Sequence, residues 1–161
     1  MDTAKIIRET TSTHVDNETG EITRQSHTNV LQLPKEPPYV KLYLEDVAVL
    51  NNLPKGASSL MHELLRQMNY EGMINLNSTV KKTIAKRLET TIQVIDNQMS
   101  KMVKNQVFFR EGRGVIRPNP YIFGKGDWKD IYKQRNAWIT VNYDKDGNRY
   151  FTSSFGEEEK I

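Results

Sequence analysis

The sequence predicts an α+β fold, and three observations lead to that prediction. Two segments between residues 79 and 106 have apolar residues at every third or fourth position, which is typical of amphipathic helices. An alternating segment with a glycine-containing turn follows them directly and indicates a β-hairpin. Two further alternating segments with turn residues, at 10–33 and 138–153, predict additional hairpins that flank the central part of the chain.

Composition restricts the class of protein. The chain has 161 residues, of which 27% are charged, and it contains no cysteine; this length suits one domain with appended arms. No apolar run approaches the roughly 20 residues of a membrane span, and the N-terminus lacks the features of a secretory signal. We therefore expect a cytoplasmic protein without a membrane partner. With three histidines and no cysteine, we expect no metal and no cofactor.

The net charge of +3 conceals a basic segment. Residues 80–135 contain thirteen lysines and arginines against five acidic residues, a net charge of +8, whereas the preceding part has seven against ten and the following part three against five. A basic segment between acidic flanks fits a polyanionic partner, because lysine and arginine that neutralise phosphates supply most of the sequence-independent affinity for nucleic acid. On charge alone, a solvated helix surface is an equal alternative.

Residues 1–38 are predicted to form an N-terminal arm. The strand-like segments TSTHV and EITRQSHTNVL flank the turn DNETGE, in which Asn17 and Gly20 tolerate positive φ. Three prolines in LPKEPP then interrupt regular structure, because proline lacks an amide donor. A new unit is predicted to begin at Tyr39, and residues 39–53 fit either a helix or a strand that leads into one.

Three helices are predicted in the centre of the chain. The first is SLMHELLRQMN, with Ser58 or Ser59 as its N-cap. The short apolar segment INL follows, and the polar residues NST then cap a second helix from about Val80 to Leu88. A third helix is predicted for Ile92–Asn105 after a short polar turn, with Thr91 or Thr90 as its N-cap.

The third helix carries a polar outer face. Its inward stripe is predicted to contain Ile92, Ile95, Met99, Met102 and Val103. The outward candidates for base edges or phosphates are Gln93, Asn97, Ser100, Lys101 and Lys104. Two helices joined by a tight turn are typical of a helix-turn-helix, whose second helix enters the major groove. Asparagine and glutamine pair with adenine, and lysine reaches guanine or phosphate. The alternative is an αα-hairpin whose outer face is merely solvated.

The segment VFFREGRGVIRPN predicts a hairpin with its turn at residues 111–114. A hairpin directly after the second helix of a helix-turn-helix is a wing, and INL can pair beside it as a third strand. A winged helix is therefore predicted for residues 39–135. Arg113 lies between two glycines at the tip, where it can approach phosphate or a minor groove, with Arg110 and Arg117 on the strands behind it. The candidates that hold the DNA backbone are Lys81, Lys82, Lys86, Thr90 and Thr91.

Residues 136–161 are predicted to form a C-terminal hairpin and a frayed tail. Alternation from Trp138 to Tyr143, the turn DKDGN and a return strand at Arg149–Ser153 indicate the hairpin, and GEEEKI is the tail. Helix-turn-helix proteins commonly dimerise so that two recognition helices meet successive turns of the groove. We therefore expect a homodimer.

Several segments resemble the RepL-type replication proteins of small bacterial plasmids. They are YVKLYLEDVAVL, STVKKTIAKRLETTIQVIDNQMSKMVKNQVFFREGRGVIRPNPYIF and FGKGDWKDIYKQR. The shared motifs are the opening turn with Asp16, Thr19, Gly20 and Glu21, the Asn119-Pro120 pair, and a turn with Gly124 and Gly126. The resemblance covers residues 14 to about 135. It implies a winged-helix initiator that binds a plasmid origin and helps to recruit host replication proteins.

No catalytic arrangement is predicted. The chain lacks the Gly-x-x-x-x-Gly-Lys-Ser/Thr phosphate loop and a cysteine nucleophile. Its isolated histidines do not provide the paired metal ligands of a rolling-circle nickase. The sequence therefore predicts a sequence-specific double-stranded DNA-binding protein rather than an enzyme. Two alternatives stay open, a winged-helix transcriptional repressor of plasmid or mobile-element genes and a winged-helix protein-interaction module.

Overall fold

The computed structural model describes residues 5–154, with the side chain of residue 5 excepted, and the chain divides into two compact units. The first unit is Met1–Pro38 and the second is Tyr39–Ile161. The division at Pro38 coincides with the predicted end of the N-terminal arm. The predicted tail GEEEKI lies outside the described residues.

The first unit contains one long antiparallel hairpin. Strand β1 (Lys5–Val15) pairs with strand β2 (Ile22–Gln32). Strand β1 begins before the predicted segment TSTHV, and β2 ends one residue after the predicted segment EITRQSHTNVL. The side chain of Asp16 closes the turn, because its Oδ1 accepts hydrogen bonds from two backbone N–H groups at 2.8 and 3.0 Å. Gly20 takes the positive φ of the turn, whereas Asn17, predicted to tolerate one, does not adopt it.

The second unit is a mixed α+β arrangement with small antiparallel sheets. In chain order its elements are β3 (Lys41–Leu42), a 3-10 helix (Val47–Asn52), α1 (Ala57–Leu65), β4 (Ile74–Asn75), α2 (Ser78–Arg87), α3 (Ile92–Lys104), β5 (Phe108–Gly112), β6 (Val115–Pro118), β7 (Phe123–Gly124), α4 (Trp128–Trp138), β8 (Ile139–Tyr143) and β9 (Arg149–Ser153). None of the helices among residues 5–154 is long and apolar enough to cross a membrane.

The central sheet has the strand order β4–β6–β5, with antiparallel pairing throughout. The predicted pairing of INL beside the hairpin is confirmed, since Ile74 lies opposite Ile116. At the end of β4 the backbone N–H of Leu76 donates to the carbonyl of Gly114 at 2.7 Å. Gly114 takes a φ of 71°, which only glycine adopts at low cost.

Polar caps start α2 and α3 where the sequence predicts them. The side chain of Asn77 accepts the backbone N–H three residues on at 2.9 Å, and that of Thr91 does the same at 3.3 Å. The predicted helix α1 is present, but the prediction of its N-cap was wrong. Its N-cap is Gly56 in the left-handed conformation, and Ser58 and Ser59 lie inside the first turn.

The main core lies between α1, α2, α3 and one face of the central sheet. Ile95, Met99 and Met102 of α3 are fully buried in it, as their spacing predicts, together with Phe108 of β5. Ile92, also predicted to face inward, is 36% exposed because it occupies the first position of the helix. The inward stripe therefore begins one turn later than predicted.

The reverse face of the sheet carries a second, smaller core. Phe109 follows Phe108 along β5 and so points to the opposite side. It packs with Ile139 of β8, Phe151 of β9 and Tyr121, whose ring stacks on that of Phe151 at 5.0 Å between centroids. The C-terminal hairpin is therefore a layer of the second unit.

Asn119 ties these layers together. It is fully buried, and its Nδ2 donates to the carbonyl of Gln106 at 2.9 Å while its Oδ1 accepts the backbone N–H of Tyr121 at 2.9 Å. Gln106 adopts a φ of 63° at the end of α3. Asn119, the first residue of the Asn119-Pro120 motif noted in the sequence, thus fixes the connection between α3 and β5.

Arg149 of β9 binds the segment that precedes the 3-10 helix. Its Nη1 lies 2.7 Å from Glu45 Oε1, and its Nη2 lies 3.2 Å from Asp46 Oδ2 without forming a hydrogen bond. Asp46 is buried, and burial raises the pKa of its carboxyl above the ordinary value, whereas the Arg149 guanidinium opposes that shift.

Helix α4 is not predicted from the sequence. The segment FGKGDWKDIYKQR was predicted to contain only a turn with Gly124 and Gly126, but β7 pairs with β3 and a helix follows from Trp128 to Trp138. The predicted boundary between residues 135 and 136 falls inside this helix. Its only buried residue is Ile131, so the apolar stripe by which a helix is recognised is absent.

Candidate nucleic-acid interface

The outer face of α3 gathers the predicted polar residues on one side. At 3.6 residues per turn they fall within an arc of roughly 100°. All of them are exposed: Gln93, Asn97, Ser100, Lys101 and Lys104. Amide, hydroxyl and ammonium groups therefore point away from the core. The opposite, apolar face of α3 packs in the core and holds the helix in place.

Two residues that the sequence analysis did not select border this face. Val94 is 39% exposed although it is apolar, and its position one turn before Asn97 suits contact with a thymine methyl group. The sequence feature that could have identified Val94 is its place outside the predicted inward stripe of α3. Asp96 borders the other edge and lies 2.7 Å from Lys81 Nζ, so that this ion pair joins α2 to α3. The contact of Lys81 with the DNA backbone stays a prediction, and the structure places its partly exposed ammonium in this ion pair.

The lysines and threonines near α2 have different surroundings. Lys82 and Lys86 are exposed. Thr90 is half-buried, and its backbone N–H donates to the Ala85 carbonyl at 2.9 Å. The Thr91 side chain caps α3. The two threonines therefore stabilise the turn between the helices. The two lysines are exposed cations of α2 that form no ion pair with a residue of the described range, whereas the exposed Arg87 pairs with Glu63.

The β5–β6 hairpin presents two of its three arginines to solvent. Arg110 on the strand and Arg113 in the turn are exposed. Arg117 is buried: its Nη2 lies 2.9 Å from Glu111 Oε2, and its Nη1 donates to the Glu71 carbonyl at 2.7 Å. The prediction that Arg117 contacts DNA is therefore corrected. A guanidinium that is paired inside the protein is not accessible to a phosphate.

The thirteen cations of residues 80–135 fall into two groups. Five bind groups within the protein, namely Lys81, Arg87, Arg117, Lys125 and Arg135. The other eight have no ion pair or hydrogen bond from their side chains to any residue of the described range: Lys82, Lys86, Lys101, Lys104, Arg110, Arg113, Lys129 and Lys133. Six of these eight belong to α2, α3 and the β5–β6 hairpin. Positive charge without a protein partner is thus concentrated on the elements that follow one another from residue 78 to 118.

Comparison of the chain with protein-family models, with curated proteins and with solved structures found no match. Its function must therefore be inferred from its residues.

Proposed function

We propose that this chain is a winged-helix protein that binds double-stranded DNA in a sequence-specific manner and initiates plasmid replication at the bound origin. The observation that supports this proposal most directly is the composition of the outer face of α3. It presents Gln93, Asn97 and Ser100 together with Lys101 and Lys104, whose ammonium groups have no ion pair with any residue from 5 to 154. The β5–β6 hairpin, which carries two exposed arginines, follows it directly. Base-reading amides beside phosphate-binding cations are the combination that major-groove recognition needs.

The order of elements supports the winged-helix proposal. The chain runs α1, β4, α2, α3, β5 and β6, and the first of these strands pairs with the last. In a winged helix this order makes α3 the recognition helix and the β5–β6 hairpin the wing. Ile95, Met99 and Met102 anchor α3 in the core. Rigid anchoring keeps the polar face in a fixed geometry, which sequence readout requires.

The proposed roles follow from chemistry and position. Asn97 lies at the centre of the exposed arc and reads a base edge, where a bidentate contact is worth about 1–3 kcal/mol of discrimination. Lys82, Lys86 and Arg113 neutralise phosphates, which fixes the register of the protein without reading sequence. Serine and glutamine on the same face supplement the base contacts.

The initiator role draws on the resemblance to RepL-type proteins. A homodimer would place two α3 helices in successive turns of the major groove, which predicts repeated half-sites. Recruitment of host replication proteins would then occur at the bound origin. The same surface in a transcriptional repressor would bind a promoter, so the location of the site separates these two roles.

Selection from a random duplex DNA library tests the binding proposal. The purified full chain is used at two salt concentrations, and the selected sequences are read. We expect an enriched motif with direct or inverted repeats and a steep loss of binding at the higher salt. No enrichment together with little salt dependence would contradict DNA binding and favour a protein-interaction module.

A replication assay tests the initiator role. The chain is supplied in trans to a plasmid that carries the selected site in its origin. Asn97→Ala should lose both selective binding and replication, whereas Gln67→Ala, a change at an exposed amide outside α2 and α3, should retain both. Replication that proceeds without the chain, with the site in a promoter, would favour the repressor.

A further inference from the structure

Helix α4 exposes two aromatic rings on one side. Trp128 is 50% exposed and Tyr132 is 54% exposed. They lie one helical turn apart, with ring centroids 5.8 Å apart and planes inclined by 51°. Ile131 is the only residue that α4 buries, so these rings do not serve the core.

The Trp128 ring is held in place from within the protein. The guanidinium carbon of Arg135 lies 4.8 Å from the centroid of the ring, and Arg135 Nε donates to the Pro120 carbonyl at 2.9 Å. The Tyr43 ring contacts Trp128 with centroids 5.8 Å apart. A ring that is oriented before a ligand arrives loses little side-chain entropy on binding. Trp128 therefore forms a prepared stacking surface.

Two unpaired lysines accompany the rings. Lys129 and Lys133 each follow one of the aromatic residues and are exposed. Between residues 5 and 154 their ammonium groups have no ion-pair or hydrogen-bond partner. The four residues lie within an arc of roughly 140° on the helix, and the two acidic residues at positions 127 and 130 fall outside it. Trp128, Lys129, Tyr132 and Lys133 are called the α4 platform below.

We propose that the α4 platform binds unpaired nucleotides of single-stranded DNA. Two bases stack on Trp128 and Tyr132, and Lys129 and Lys133 pair with the adjoining phosphates. Proteins that bind single strands combine these two features, stacking aromatic rings and cations that follow the backbone. The bases of a duplex are stacked on each other and do not offer their faces to a protein ring. The lysines select a polyanion over an apolar partner, because they would otherwise be desolvated without compensation.

This site goes beyond the duplex-binding face of α3 and uses different residues. The two activities predict separate salt responses. Neutralising two phosphates of a single strand contributes about 1.4 to the slope of log affinity against log salt, and two phosphates of a duplex contribute about 1.8. Each pair of lysines can therefore be tested against its own ligand.

The test measures fluorescence anisotropy of a labelled oligothymidylate with the full chain. Trp128→Ala should weaken single-strand binding roughly 10-fold or more, while the affinity for the selected duplex stays unchanged. Tyr143→Ala removes another exposed ring, at the end of β8, and should change neither affinity. Circular dichroism confirms that each variant is folded.

A double variant keeps the test decisive if loss of Trp128 unfolds the chain. Lys129→Ala with Lys133→Ala removes two exposed side chains and should lower the single-strand salt slope by about 1.4 without changing the duplex slope. Lys82→Ala with Lys86→Ala should do the reverse, lowering only the duplex slope by about 1.8. If each double variant changes the salt slope for only its own ligand, the proposed single-strand site on the α4 platform is supported.

Three outcomes would overturn the proposal. The first is single-strand affinity and salt slope that are unchanged in the α4 variants. The second is tighter binding to oligouridylate of equal length, which would assign the platform to RNA. The third is a change in sedimentation of Trp128→Ala without any change in single-strand affinity, which would assign the face to a contact between copies of the chain.

Discussion

The salt dependence of the proposed duplex binding provides the most quantitative prediction. Six cations on α2, α3 and the β5–β6 hairpin have no ion-pair or hydrogen-bond partner in the described part of the chain. If each neutralises one phosphate, the slope of log affinity against log salt is about −5 per protomer. Affinity should then fall on the order of 10³-fold between about 50 and about 200 mM salt.

Removal of one cation from the turn of the β5–β6 hairpin tests the assignment of individual residues. Arg113→Ala should make the slope less steep by about 1 and weaken binding to all sequences about equally, because a phosphate contact carries no sequence information. Lys145→Ala is the matched control, since it removes an exposed cation from the turn between β8 and β9. Its slope should equal that of the unmodified chain.

The assay is fluorescence anisotropy of a labelled duplex across a salt series, with the selected site and a scrambled site measured in parallel. An unchanged slope for Arg113→Ala would refute its phosphate contact. Equal slope changes in both variants would mean that net charge, rather than the position of the arginine, determines the response.

Four further predictions concern base reading and stability. Asn97→Ala should lose about 1–3 kcal/mol of discrimination between the selected and scrambled sites; equal losses on both sites in a competition assay would reject its base contact. Asn119→Ala removes the side-chain partner of the part-buried Gln106 carbonyl and Tyr121 N–H, and it should lower the free energy of unfolding by about 2–4 kcal/mol in urea titrations; a loss within measurement error would refute the structural role. Gly114→Ala should cost about 1–2 kcal/mol through its positive φ, whereas Gly112→Ala, in open space and without a positive φ, should be nearly neutral in the same titration. Burial raises the folded-state pKa of Asp46 above its ordinary value of 3.8, so the free energy of unfolding should fall as pH rises through that raised pKa. Asp46→Asn should remove this fall. A fall in stability on acidification, attributable to Asp46, would contradict the prediction.

The sequence predicts the elements whose local signals agree with their packing. Helix α3 has a threonine cap, an apolar stripe at helical spacing and a polar opposite face, and Ile95, Met99 and Met102 lie in the core as expected. The hairpins follow from turn residues such as Gly20 and Gly114, whose positive φ values no other residue adopts so readily. These signals act within a few residues of one another, so they can be read along the chain.

The features that the sequence does not predict depend on contacts between distant residues. Arg117 looks exposed in an alternating strand, yet β6 is covered on both faces and the guanidinium binds Glu111 and the Glu71 carbonyl. Helix α4 lacks an apolar stripe because Trp128 and Tyr132 face outward. The pairing of Lys81 with Asp96 likewise requires two helices to be placed side by side.

Strand β5 contributes consecutive residues to two cores, Phe108 to one and Phe109 to the other. A deletion that ends the chain before β8 would uncover Phe109 and remove the partners that hold the base of the β5–β6 hairpin. Such a truncated protein would lose the proposed DNA binding through misfolding, even if no residue of the C-terminal hairpin touched DNA. Deletion mapping from the C-terminus would therefore report the integrity of β5, and point substitutions on the surface of β8 and β9 are the means of finding a separate role for that hairpin.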